Sequence, residues 1–209
     1  MKLKTILSLS LVALILGGLA SCSKPSGPMT QTEKIESAKT FLTGKVVLSA
    51  HAFMGEKNLT GLKTGAPMMY NFEWKADNTL HLKLDGFSVA KMPLRLFFDA
   101  DLKPVPENQW EKDEMPGDGW IKLYGDNGVT SLTAISPKMP NRDGKTGGKV
   151  TMFVNAETHE IQFDLDFNMM GIKAEVFRQK IDPARVNNYE AEKKKFDEDY
   201  AAWKKNQGL

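Results

Sequence analysis

The sequence predicts a mainly β protein: an antiparallel up-and-down barrel, or a sandwich, of about eight to ten strands with a C-terminal amphipathic helix. Three observations carry that expectation. Apolar and polar residues alternate with period two across the middle of the chain. Short Asn-, Asp- and Gly-containing segments separate the alternating runs. After Asp182 the apolar period lengthens to that of a helix.

The amino terminus comes first. Lys2 and Lys4 precede an apolar run from Ile6 to Leu16, then Gly17, Gly18 and small residues. This is the order of a secretory signal peptide, expected over residues 1–21. The apolar helix would span roughly 16 Å, short of a hydrocarbon core of about 30 Å. Leu19-Ala20-Ser21-Cys22 then resembles a bacterial lipobox, and Cys22 is the only cysteine in the chain. The resemblance implies cleavage before Cys22 and covalent diacylglyceryl and N-acyl (palmitate-type) lipid on it. Two or more chains anchor stably where one does not. Lys24 stands where an aspartate would suggest inner-membrane retention, so outer-membrane attachment is expected. "SKPSGPMTQT" lacks an acidic export cluster, which favours a body facing the periplasm over the cell surface.

Residues 22–39, polar and carrying Pro25, Gly27 and Pro28, are expected to form a lipidated tether with a short helical turn at "TEKIESA". Loss of Lys2 and Lys4 takes the formal charge of +2 to zero. A neutral body offers no electrostatic footprint for nucleic acid. The full chain is 41% hydrophobic, and its mature part can bury a sizeable core. A lone, lipidated cysteine leaves that core without an intramolecular disulfide.

The β domain is expected over residues 40–181. Tyr70, Phe72 and Trp74 alternate with Asn71 and Glu73, Leu80, Leu82 and Leu84 with His81 and Lys83, and Ile161, Phe163, Leu165 and Phe167 with Gln162, Asp164 and Asp166. Hairpin turns are predicted at Ala76-Asp77-Asn78, Gly125-Asp126-Asn127-Gly128 and Asn155-Ala156-Glu157-Thr158. "NRDGKTGG" fails as a phosphate loop, because Met139 stands where glycine is required, and reads as a polar loop. Asp99-Ala100-Asp101 reads as lying beside a turn.

Residues 182–209 form the final unit. Asp182-Pro183 is a helix-start signal, and Val186, Tyr189, Phe196, Tyr200 and Trp203 make one stripe broken by Lys193. The stripe is expected to pack on the outside or across one end of the β domain. A partner-binding or dimer helix is the second reading.

"TGKVVLSA", "TLHLKLDGFS" and "HEIQFDLDFNMMGIKAEVF", behind a lipobox and a polar tether, resemble the calycin-like β-barrel domains among the small lipoproteins of Bacteroidetes. The resemblance covers about Thr40 to Gln179. It implies a barrel related in shape to lipocalins and hands over no catalytic residues.

Chemistry is sparse. No Gly-x-Ser-x-Gly is present, and His51, His81 and His159 lack metal-ligand spacing, so no catalytic residue, metal or cofactor is expected. His81, Asp164 and Asp166 are expected on a solvated outer face. The excess of methionine, with 11 in the chain, suits either core filling or an adaptable apolar lining. The candidate ligand-lining residues are Met68, Trp74, Met92, Trp110, Trp120, Met152 and Met170. The functional expectation is a membrane-anchored, non-enzymatic binder of a small apolar or amphipathic ligand. Its rival is an accessory subunit that docks on an outer-membrane protein complex through its loops and helix. A filled interior would favour the rival.

Overall fold

A computed structural model describes residues 27–88, 94–111, 114–115, 117–135 and 142–208. Its elements are α1 (Gln31–Phe41), β1 (Gly44–Met54), β2 (Lys57–Asn58), β3 (Ala66–Trp74), β4 (Leu80–Phe87), β5 (Leu94–Val105), β6 (Trp120–Ala134), β7 (Arg142–Asn155), β8 (Glu160–Asp166), β9 (Ile172–Lys180) and α2 (Arg185–Asn206). Each long strand pairs antiparallel with the next, and β9 returns to β1 through the register Ala50–Val176 to Met54–Ile172. The sheet is therefore a closed barrel of eight strands, with β2 added at the end of β1. Closure removes the edges that an open meander would expose.

Four local expectations are corrected. Gly125–Gly128 is not a hairpin: β6 runs through it as one 15-residue strand. The Asn127 side chain explains this, since its Oδ1 accepts from Asp101 N–H at 2.9 Å and its Nδ2 donates to Asp101 C=O at 3.0 Å. Those two bonds replace the ladder where β6 holds an extra residue as a bulge. Asp99-Ala100-Asp101 accordingly lies inside β5 and not beside a turn. The segment "RDGKTGG" is strand, the first half of β7, paired with β6 through three register shifts. Irregular pairing hides the alternation on which a sequence reading depends.

The fourth correction concerns the tether. From Gln31 onward the polar segment is an 11-residue helix whose N-cap Thr30 and Glu33 form a capping box. The expected turn is thus extended into a structural element. Ile35, Ala38 and the following Leu42 belong to the main core. The polar side chains of α1 reach all three connections at its end of the barrel. Lys39 donates to Asn78 Oδ1 at 2.7 Å in the β3–β4 turn, Lys34 pairs with Glu107 at 2.7 Å after β5, and Ser37 donates to Ala156 C=O at 2.9 Å after β7. Phe41 stacks on His159 at 4.1 Å. Helix α1 is a stopper across one end of the barrel.

The C-terminal helix packs on the outside, against β1 and β3. Alternation points Val47 and Pro67 outward, yet both are buried where the helix crosses. Phe196 is buried, and Trp203 lies over Gly61, where an added Cβ would stand 2.6 Å from its ring. Asp182 acts before the helix, its Oδ1 accepting from Ala184 N–H at 2.9 Å. Lys193, the break in the stripe, pairs with Asp197 at 3.0 Å.

Candidate functional site

Period two on a closed sheet sends every second residue inward, so the interior is the first place to look for a ligand site. It is occupied by side chains. Tyr70, Phe72, Leu82, Phe98, Leu123 and Phe163 are each no more than 2% exposed. Tyr70 meets Phe163 edge to face at 5.1 Å, and Phe98 meets Phe167 in the same way at 5.2 Å. Phe98 occupies space left by two glycines, because a Cβ on Gly128 or Gly148 would lie 2.5 Å from its Cε2.

The candidate lining residues do not converge. Met68 and Met152 point into the packed interior and are fully buried. The Tyr70 hydroxyl donates to Met68 Sδ at 3.1 Å, and burial pushes the Tyr70 phenol far above its ordinary pKa. Trp74 sits at the stoppered end, where its Nε1–H donates to Leu42 C=O at 2.8 Å. Trp110 lies outside the barrel, its ring edge-on to the outward Phe153 at 5.9 Å. Lys122 holds the same loop down, with Glu114 2.6 Å away and the Phe153 ring at 5.6 Å. Trp120 is 3% exposed, with the Arg178 guanidinium 4.9 Å from its ring and Glu160 2.6 Å from that guanidinium. Met170 is 46% exposed at the β8–β9 turn. Met92 and Cys22 lie outside the described residues.

The titratable groups are dispersed as well. His51 Nδ1 lies 3.1 Å from Thr60 Oγ1, whose own hydroxyl donates to Asn58 Oδ1 at 2.7 Å. His81 meets Asp101 at 2.9 Å, and His159 stacks on Phe41. Among the described residues no group of three His, Cys, Asp or Glu side chains could hold a metal ion, and no helix is long and apolar enough to cross a membrane. A shallow concavity of about 410 Å³ on α2, between Glu190, Lys193, Asp197 and Ala201, is edged by helical ion pairs.

Among the described residues, Asp164 is the carboxylate whose pKa is raised. It sits directly across from Glu175, and burial first, then the Glu175 charge, raise its pKa above the ordinary value. A raised folded value penalises the ionised native state at neutral pH and relieves it as pH falls towards about 4. Asp164→Asn is therefore expected to stabilise the protein by about 0.5 kcal/mol at pH 7, the solvent screening such a surface pair. In urea melts the gain should disappear below about pH 4.

Near α1, Lys34, Lys39, Lys75, Lys122 and Arg178 form ion pairs, while Lys45, Lys103 and Lys180 have no ion-pair partner among the described residues. The opposite end carries the exposed Met54 and Met170 together with Lys57, Lys63, Lys204 and Lys205, none of which has an ion-pair partner among the described residues. Sequence reasoning passed over this group because its members lie on separate segments brought together only by the barrel and α2.

No curated protein and no solved structure matches the chain. One family model matches residues 23–208, a domain of unknown function designated DUF4903. That match spans nearly the whole chain, including α1, the eight-strand barrel and α2, and the protein is a member of the DUF4903 family.

Proposed function

We propose that the protein is a lipid-anchored, non-catalytic accessory subunit of the cell envelope that docks on another envelope protein through its outer surface. The observation that supports docking over carriage is the interior: the space a ligand would need is filled by Tyr70, Phe72, Phe98, Met68 and Met152, and α1 stoppers one end. An internal ligand site requires an open volume of a few hundred Å³, roughly 300 Å³ or more. The closed antiparallel barrel agrees with the calycin-like shape that the resemblance implies. Acyl chains on Cys22 would hold the body at the outer membrane, facing the periplasm. Eight residues, 23–30, separate Cys22 from the start of α1, nine Cα steps with a reach of at most about 30 Å.

Two assays test this reading. Metabolic labelling with a fatty-acid analogue should mark the wild type and leave Cys22→Ser bare and released from the membrane fraction. Label on the Cys22→Ser chain would contradict the anchor. Titration of the full chain with an apolar fluorescent probe should show no saturable site. Saturable one-to-one binding would return the barrel to the carrier reading.

A further inference from the structure

We infer that the face formed by the β1–β3 connection, the β8–β9 turn and the last turn of α2 is the docking surface, and that its occupant is an acidic protein surface with an apolar centre. The inference rests on the accessory-subunit reading and names the face and the chemistry that reading leaves open. Met54 closes β1 and is 41% exposed, and Met170 in the β8–β9 turn is 46% exposed. Gly55 N–H donates to Gly171 C=O at 3.0 Å, which fixes the two methionines on neighbouring segments.

The backbone that presents Met170 is strained. Its φ is +55°, and Asn168 and Gly171 beside it have φ values of +47° and +66°. A bulky residue in the left-handed region is uncommon and costs free energy. Side chains hold the turn in place: Asn168 N–H donates to Asp166 Oδ1, and Asn168 Nδ2 donates to Thr146 C=O on β7, both at 2.9 Å. Met170 is thus held out rigidly, with a flexible, polarisable side chain at its tip.

Charge names the partner. Lys57 and Lys63 in the β1–β3 connection, and Lys204 and Lys205 in the last turn of α2, surround the Met54 side of this end. Trp203 against Gly61 brings those two segments together. Glu56 is the only acid in residues 55–65. Among the described residues these four lysines outnumber Glu56, and a basic rim about an apolar tip complements acidic residues around an apolar one.

Chain geometry favours a protein over the bilayer. The tether enters at the opposite end, where Gln31 Nε2 donates to Val105 C=O at 3.0 Å. The anchor would thus be attached at the stoppered end, and the methionine end is the one farther from it along the barrel. A second copy would present the same lysines to these lysines, and like charge disfavours tip-to-tip pairing.

A photo-crosslinking residue placed at Met170 in the full chain, in the producing cell, tests the assignment, with the same residue at Glu36 on α1 as the control. The expected result is an adduct from position 170 that position 36 does not give, to a protein whose crosslinked segment is rich in Asp and Glu. Lys57→Glu/Lys204→Glu/Lys205→Glu should reduce its yield about tenfold or more. No adduct, an adduct indifferent to charge reversal, or an adduct to a second copy would overturn the inference. So would binding of the purified full chain to vesicles of phosphatidylglycerol and phosphatidylethanolamine through ¹³C-methyl shifts of Met54 and Met170. These outcomes leave the acyl-labelling and probe assays untouched, so the surface and the accessory role fail separately.

Discussion

Phe98→Ala is expected to destabilise the barrel by about 4 kcal/mol, measured as a fall in urea midpoint at unchanged slope. The ring is 1% exposed, packs edge-on against Phe167 at 5.2 Å and fills the space over Gly128 and Gly148. The fit works in both directions. Gly128→Ala places a methyl 2.5 Å from Phe98 Cε2, an overpacking that costs about 2 kcal/mol. In the double variant the methyl enters the void left by the ring, so the two costs should not add. A coupling of about 2 kcal/mol towards recovery is expected. Strict additivity would mean that the ring and the glycines do not share one space.

Ile35→Asp is the second large effect, at roughly 4 kcal/mol if α1 stays docked, because it places an unpaired carboxylate in the core. Ile35 is 5% exposed and joins Ala38 and Leu42 in the main cluster. The loss is capped by the cost of undocking the helix, since the strands can remain paired without it. Hydrogen exchange separates the two cases: undocking makes the α1 amides fast while β3 to β5 stay protected. Glu36→Ala, one residue away on the exposed face, should cost less than about 0.5 kcal/mol. If residues 31–41 behaved as a free tether, the two substitutions would be equally silent.

The regular strands were legible because their side-chain period is intact. In β3, β4 and β8 the alternation of Tyr70, Phe72 and Trp74, of Leu80, Leu82 and Leu84, and of Ile161, Phe163 and Leu165 matches the inward positions. The β6–β7 region was misread where local turn chemistry was overridden. Asp126-Asn127-Gly128 carries every mark of a hairpin, but the Asn127 amide is used to mimic the ladder to Asp101. Glycines at 128, 144, 147 and 148 signal a loop by composition, whereas Gly128 and Gly148 are there to admit Phe98.

Helix α1 was legible only as a short turn because its buried face is small: Lys34, Ile35 and Ala38, with Lys34 buried on its ion pair to Glu107. The candidate site was the least legible part. Period two says that Met68 and Met152 point inward, but it does not say whether the interior is hollow. That depends on the volumes of Tyr70, Phe98 and Phe163 arriving from strands far apart in sequence. Trp110 and Trp120 attract attention by type, yet each is held by local contacts on the outer wall, to Phe153 and to Arg178.

The proposal of a filled, stoppered barrel on a lipid anchor is tested most directly by native mass spectrometry of the protein gently extracted from its own host. The predicted spectrum is the chain beginning at Cys22, carrying its acyl groups and nothing else. A stoichiometric adduct of lipid-like mass, retained through extraction and released on unfolding, would contradict the account.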